Sequence, residues 1–496
     1  MEQVNSSQRS ILIVGGGTAG WMAANLFSKS LSHLGFDIAL LESANIPTVG
    51  VGEGSTPYIR HLFSALDLTE DEWMPACSAT YKGGITFADW STKKGFNQYF
   101  HPFSSSLDQQ SFDVFRQVTM LRHGNYQVDA HPNSYFLQSE LVKQGRIPKS
   151  NDTSVVDSIY AYHFDATKLG LFLKSHAEQL GVRHIVDEVI DVKLSHSGDI
   201  SSVLTTSGRT LTADIFVDCT GFKALLMEKT LGVKFCSFKD NLFNDSAVAI
   251  PTAKKEGYVP QTISTALSNG WKWDIPLSSR TGNGYVYSSD FLSADLAERE
   301  LRQAINANDP NIEARHIKMK VGRLEKHWYK NCVAIGLSQG FIEPLEATAL
   351  HIVQLSIEQF VEQVKRGDYT NKYQDFYNHG VNHLFEHIRD YIVLHYLTNS
   401  RSDTDYWKAC RNDIKISDRL QAVMEVWCSG QDLEKELNRQ QVTQYYSSMS
   451  WHVLLAGMGV FPQINSAELT EHQQAQQALN QITQYIAKHT KYFPMS

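Results

Sequence analysis

ILIVGGGTAGWMAANLF, residues 11–27, runs four apolar residues suited to a buried strand into a turn of glycines and then into a pattern suited to a helix. The turn, Gly15-Gly16-Gly17-Thr18-Ala19-Gly20, holds G-x-G-x-x-G in the strand–turn–helix setting that this motif requires. Gly15 permits a tight turn, Gly17 lets the backbone approach a pyrophosphate, and Gly20 lets the helix pack on the strand, while amides at the helix start face the phosphates. The next strand, DIALLES, carries an apolar run ending in Glu42, 22 residues after Gly20. That is close to the ~20-residue offset expected of a carboxylate that accepts hydrogen bonds from a ribose. The reading is a dinucleotide site.

Downstream segments select the dinucleotide. TVGVGEGSTPYIRHLF, residues 48–63, is a second glycine-rich loop, with Ser55 or Thr56 able to cap a helix and Pro57 suited to its first turn. TADIFVDCTG, residues 212–221, is a strand ending in Asp218 and Gly221, and NCVAIGLSQGFIEPLEATALHIVQ, residues 331–354, reads as strand, glycine turn and long helix. Strand ends that face a nucleotide from such distant parts of the chain suit an FAD fold split by insertions. They suit an NAD dehydrogenase poorly.

Composition narrows the class further. A chain of 496 residues, 42% hydrophobic and 20% charged, is an ordinary globular protein with roughly three domain-sized units' worth of chain. The net charge of −8 comes without a Lys/Arg cluster, which argues against nucleic acid or an anionic membrane as partner. Cys77, Cys219, Cys236, Cys332, Cys410 and Cys428 lie far apart with no C-x-x-C, so neither a disulfide frame nor a zinc site is signalled. No signal-peptide pattern and no run of ~18 apolar residues appears, and a cytoplasmic location is expected.

Five stretches carry a family resemblance: GGGTAGWMAA, VGVGE, YKGGITFADW, WKWDIP and GFIEPLEATAL. With them the chain resembles, nearly end to end, the flavin-dependent halogenases of the tryptophan-halogenase family. The resemblance implies an α/β fold of the FAD-binding flavoprotein-monooxygenase type, a Rossmann-type βαβ unit with an inserted sheet, plus a mainly α-helical C-terminal substrate module. The expected division is an FAD-binding module over 1–380, with substrate-facing insertions at about 96–154 and 236–324, and a helical module over 381–496. Expected FAD contacts are Gly15, Gly16, Gly17, Thr18, Ala19, Gly20, Glu42, Val51, Glu53, Val189, Leu337 and Leu350.

The W-x-W-x-I-P motif is the most specific of these stretches, because in the family it accompanies FADH2-dependent halogenation and is missing from similar single-component hydroxylases. In an extended segment Trp271, Trp273 and Ile275 share one face while Lys272 and Asp274 point away, and Pro276 ends the run. By resemblance this is a wall beside the flavin that keeps substrate from direct contact. A small oxidant, hypohalous acid made from O2 and chloride or bromide, then travels to a separate pocket.

The remaining roles follow from the same resemblance. Halide rests against backbone amides at Thr348 and Ala349, at a helix start expected to begin with Glu346. Here Ala347-Thr348-Ala349 replaces the commoner Ser-Thr-Gly. Lys82, expected just after a helix at EDEWMPACSATY, either hydrogen-bonds hypohalous acid or attacks it to form a haloamine, and Glu346 faces it. His101 and Phe103 match positions that sandwich an indole, and Tyr445, Tyr446 and Trp451 match the C-terminal substrate residues. No Asp or Glu occurs between 437 and 467, where tryptophan-specific members keep an acid for the substrate ammonium. Free tryptophan is therefore a doubtful substrate, and an indole-type molecule fits better.

Apolar stripes at 294–308, 356–367 and 379–398 predict helices. The last carries His379, His383, His387 and His395, but no cysteine or paired carboxylate completes a metal site, and none is expected. The chain shows no NAD(P)H domain of its own, so reduced flavin is expected from a separate NAD(P)H-dependent flavin reductase. The alternative reading is a flavin-dependent monooxygenase, a hydroxylase on the same scaffold.

Overall fold

The computed structural model describes residues 9–45, 51–307, 309, 311–462 and 470–496. Residues 48–50 of the second glycine-rich loop therefore lie outside the described residues. The chain divides into two units, each assembled from three segments.

The first unit comprises Met1–Ala79, Phe164–Phe238 and Met319–Glu386. Its main sheet has six strands in the order Trp328–Tyr329, Cys332–Ala334, Ile215–Asp218, Arg9–Val14, Phe36–Glu42 and Arg183–Val186. All neighbours are parallel except the first pair. Ile11 to Val14 are buried without alternation, as a parallel strand covered on both faces demands. Helix Thr18–Leu31 packs against helices Ala166–Gln179 and Ala349–Arg366. Leu12, Val14, Leu41 and Phe216 join the core beneath a three-stranded antiparallel sheet of Val189–Leu194, Ile200–Thr205 and Thr210–Leu211.

The second unit comprises Thr80–His163, Lys239–Lys318 and His387–Ser496. Its seven-stranded sheet runs Arg315–Lys318, Ser246–Ala253, Arg280–Tyr287, Gly270–Pro276, Thr262–Leu267, Gly84–Ala88 and Gln98–Pro102. Only Thr262–Leu267 against Gly84–Ala88 is parallel. Helix Thr470–His489 packs against Asp108–His123, and Leu137, Leu141, Ile482, Ile486 and Phe493 form a core against which Val114 of the latter packs.

The helical stripes form Ala294–Ala304, Ala349–Arg366 and Gln374–Leu397. Two local expectations are corrected. Helix Ile59–Ala65 is capped at Tyr58 rather than at Ser55 or Thr56; the chain enters it through main-chain turns, Ile59 N–H to the Thr56 carbonyl (3.3 Å) and Arg60 N–H to that of Pro57 (3.1 Å). The helix at 70–81 covers only Glu70–Ala76, started by a capping box of Thr69 and Glu72, and Thr80–Lys82 is already a strand.

Candidate active site

In the first unit the glycine turn is fixed by its backbone. Gly15 has φ +116°, a conformation open to glycine, and its N–H donates to the Leu41 carbonyl at 2.8 Å. A Cβ on Gly20 would lie 2.0 Å from the Gly15 carbonyl oxygen, so only glycine lets the helix come this close. At Gly17 a Cβ would meet nothing within 4 Å, which leaves open space in front of the helix start. The first main-chain bond there is Trp21 N–H to the Gly17 carbonyl at 3.1 Å, so the amides of Thr18, Ala19 and Gly20 precede the helical ladder. This arrangement fits the pyrophosphate of FAD.

Glu42 closes its strand with Oε1 2.8 Å from His184 Nε2 and 3.3 Å from Lys174 Nζ. The Val51 carbonyl accepts from Ala166 N–H at 3.2 Å. Loss of water around Glu53, with Asp165 adding to it, pushes its carboxyl up to about 7. Val189 opens its strand, Leu337 sits in the turn Gly336–Ser338, and Leu350 lies in the first turn of Ala349–Arg366. Asp218 is fully buried and spent on structure, accepting from the amides of Leu226 (2.8 Å) and Met227 (2.9 Å).

The turn expected to hold halide differs from its expected form. Pro344–Glu346 is a short 3-10 turn, Ala347 takes φ +55° and ψ +34°, Thr348 is the cap, and the helix starts only at Ala349. Glu346 thus precedes the helix rather than beginning it, because the left-handed Ala347 breaks the run between them. Glu346 and Thr348 are both buried, and the Thr348 carbonyl accepts from Ile352 N–H at 2.9 Å.

In the second unit Lys82 is fully buried. It ends the strand Thr80–Lys82, in register with Ala161 of the strand beside it. Phe103 is brought to it by main chain, its N–H donating to the Gly83 carbonyl at 2.9 Å, and Lys82 Nζ lies 5.5 Å from the Phe103 ring centroid. A cation over an aromatic face at this separation is attracted by the ring quadrupole.

Trp271, Trp273 and Ile275 are buried on one side of Gly270–Pro276, and the two indole centroids are 6.2 Å apart at 59°. Lys272 and Asp274 pair on the other face. Trp273 lies opposite Gly284, where a Cβ would fall 2.0 Å from its indole; the bare strand gives the ring its bed. The Pro276 carbonyl accepts from Thr80 Oγ1 at 2.6 Å.

The expected substrate residues gather around a tyrosine that the sequence reading passed over. Tyr391 is fully buried, and the Tyr446 ring stacks on it at 3.7 Å and 15°, with Trp451 edge-on at 4.9 Å. Its hydroxyl donates to the Ser450 carbonyl at 3.1 Å and therefore accepts from His101 Nε2, 2.9 Å away. Tyr445 instead packs beside His387, ring centroids 6.0 Å apart, and burial pushes its phenol up to about 12. Tyr391 was hidden in the apolar stripe 379–398. A second missed residue, His163, is fully buried in the alternating segment AYHFD. Among the described residues no group of three or more His, Cys, Asp or Glu side chains could hold a metal ion, and no helix is long and apolar enough to cross a membrane.

The family described as tryptophan halogenase matches residues 10–474. The tryptophan 6-halogenase SttH of Streptomyces toxytricini is 40% identical over 443 residues, 84% of this chain and 83% of that one. The crystal structure of SttH superposes with a TM-score of 0.86 at 36% identity, covering 98% of each chain. Xcc4156, a flavin-dependent halogenase from Xanthomonas campestris, gives a TM-score of 0.87 at 32% identity over 98% of this chain and 96% of that one. The chain belongs to the tryptophan halogenase family. It is an enzyme, a flavin-dependent halogenase with the mixed α/β fold of that family, and the monooxygenase alternative is set aside.

Proposed function

We propose that the protein makes hypohalous acid from O2 and chloride or bromide, and that Lys82 delivers it to an aromatic carbon of an indole-type substrate. The observation that carries this reading is the complete burial of Lys82 with its ammonium set against Phe103. A buried lysine is costly without a task.

FAD would be held by the amides and open space of Gly15–Gly20, by Glu42, and by the segment of Val51 and Glu53, with Val189, Leu337 and Leu350 as further contacts. When bound in its reduced form it would supply two electrons to O2, the halide giving the other two and leaving as hypohalous acid with one water. The protein's own groups do the rest. Amides at Thr348 and Ala349 hold the halide, and Trp271, Trp273 and Ile275 form the wall that excludes substrate from the cofactor. Lys82 orients the oxidant by hydrogen bonding or carries the halogen as a haloamine. Glu346 takes the proton that the ring loses as it regains aromaticity.

The gathering of His101, Tyr446 and Trp451 around Tyr391, with Phe103 beside Lys82, supports an aromatic substrate next to this cluster. The lack of any Asp or Glu from 437 to 467 supports an indole without a free ammonium over tryptophan itself. A separate NAD(P)H-dependent flavin reductase supplies reduced flavin. The enzyme is assayed with indole and with tryptophan, given FAD, NADH, a flavin reductase and chloride or bromide, and products are read by halogen isotope pattern. Halogenated indole is expected, with tryptophan turned over less. In Lys82→Ala the product falls by about 10³-fold while reduced flavin is still oxidised. Oxygenated product without halogen overturns the reading, and retained halogenation in Lys82→Ala removes Lys82 from it.

A further inference from the structure

Thr80 and His163 face each other across the paired strands Thr80–Lys82 and Ala161–Asp165. Thr80 Oγ1 has a single proton, and it donates that proton to the Pro276 carbonyl at 2.6 Å. The 3.2 Å contact between Thr80 Oγ1 and His163 Nδ1 is then one in which Nδ1–H donates and the hydroxyl oxygen accepts. A neutral imidazole with its proton on Nδ1 has a bare Nε2, which accepts from Thr262 Oγ1 at 2.9 Å. Burial, with the charge of Lys82 adding to it, holds the imidazole well below the ordinary histidine range, so the ring is neutral in use. The tautomer is settled by donor count.

We propose that His163 is a positioning residue for halogen delivery: clamped between Thr80 and Thr262, its imidazole holds Thr80, and through it the Lys82 side chain and the Pro276 end of the tryptophan strand, in fixed mutual register. Residues two apart on a strand share a face, so Thr80 and Lys82 project to the same side of theirs. Pro276 is the last residue of Gly270–Pro276, two positions beyond the Trp-Lys-Trp-Asp run. One ring thereby ties the strand of the lysine to the strands of Trp273 and Thr262. A misplacement of the order of 1 Å at a reacting group costs on the order of 100-fold in rate. The clamp acts on that placement and not on how much oxidant is made.

This inference rests on Lys82 as the delivering group, and the experiment separates the two. Thr80→Val keeps the shape of the side chain and removes the hydroxyl; Thr80→Ser restores it. Each variant is given reduced FAD, bromide and indole, and three quantities are read: reduced flavin oxidised, bromoindole formed, and free hypobromous acid caught by a 1,3-diketone trap. Thr80→Val is expected to lower bromoindole per flavin about tenfold with a matching rise in trapped hypobromous acid, while flavin oxidation and the bromide KM stay unchanged. Thr80→Ser brings the ratio back to within about twofold of the parent. A merely structural loss would move flavin oxidation and product together and would not release oxidant. If Thr80→Val fails to fold, Thr262→Val, which removes only the hydroxyl facing Nε2, is read in the same way. Full coupling in the folded variant, with Lys82→Ala inert, overturns the role of His163 alone. Bromoindole from Lys82→Ala overturns the reading of Lys82 and this inference with it.

Discussion

In the proposed reading the two units meet chemistry by opposite means. In the first, main chain does the work: the turn Gly15–Gly20 and the cap at Thr348 offer amides, and residues there are chosen for what their backbones permit. In the second, side chains do it: Lys82, Phe103, Trp271, Trp273, His163 and Tyr391 lie on or against sheet and helix, each fixed by a neighbour's ring or hydroxyl. At Gly15 and Gly20 the backbone leaves no room for an added atom, and the buried side chains of the second unit leave a gap if one is removed.

That contrast breaks most visibly at Trp273. Removing a buried indole bedded on Gly284 leaves a cavity, and Trp273→Ala is expected to cost about 4 kcal/mol of stability, read as a shift of the urea midpoint at constant slope. An unchanged midpoint would mean that the wall is not packed as described.

Acid probes both units at once. Burial pulls His327 in the first unit down to about 3 and His452 in the second down to about 4. Each has an unfolded value near 6.5, so between about pH 6.5 and pH 4 the unfolded chain binds protons that the folded chain refuses. Their contribution is fully present above about pH 6.5 and is lost as pH falls, at up to about 1.4 kcal/mol per pH unit for each. His452→Gln, which keeps a donor for the Ser448 carbonyl, should remove about that slope from unfolding curves measured across this window. An unaltered slope would show that the imidazole is protonated in the fold.

The smallest effect on stability, and the most specific to the first unit, belongs to Gly20→Ala. Its Cβ must push the Gly15 carbonyl, at a cost of about 2 kcal/mol. FAD affinity, followed by flavin fluorescence, is expected to fall at least about tenfold, a loss of about 1.4 kcal/mol in binding. Unchanged affinity would remove the turn from the cofactor site.

The same contrast explains what the sequence discloses. A glycine turn between an apolar strand and a helix is legible because glycine reports backbone geometry directly, and the alternation at Trp271, Trp273 and Ile275 is legible because a strand has period two. The start of the helix Ala349–Arg366, proposed to hold halide, is not legible because alanine gives no sign that Ala347 turns left-handed. The burial of Lys82 is equally silent: its neighbours in ATYKGG suit a surface strand as well as a core one, and only the family pattern singled it out. Tyr391 and His163 were missed for a further reason. A polar tip at the end of an apolar stripe leaves the periodicity intact, and its partners, Ser450 and Thr262, lie far along the chain.

The hydrogen-bond chain from His101 through Tyr391 to the Ser450 carbonyl has a direction, each member giving its proton to the next. The phenolic proton of Tyr391 therefore has no exit to solvent while the ring stays covered by Tyr446 and Trp451. Placed in deuterated water, it is expected to exchange only when its bond to the Ser450 carbonyl breaks. The tyrosine is thus an internal clock, and the lifetime of that one proton measures how often the aromatic cluster opens.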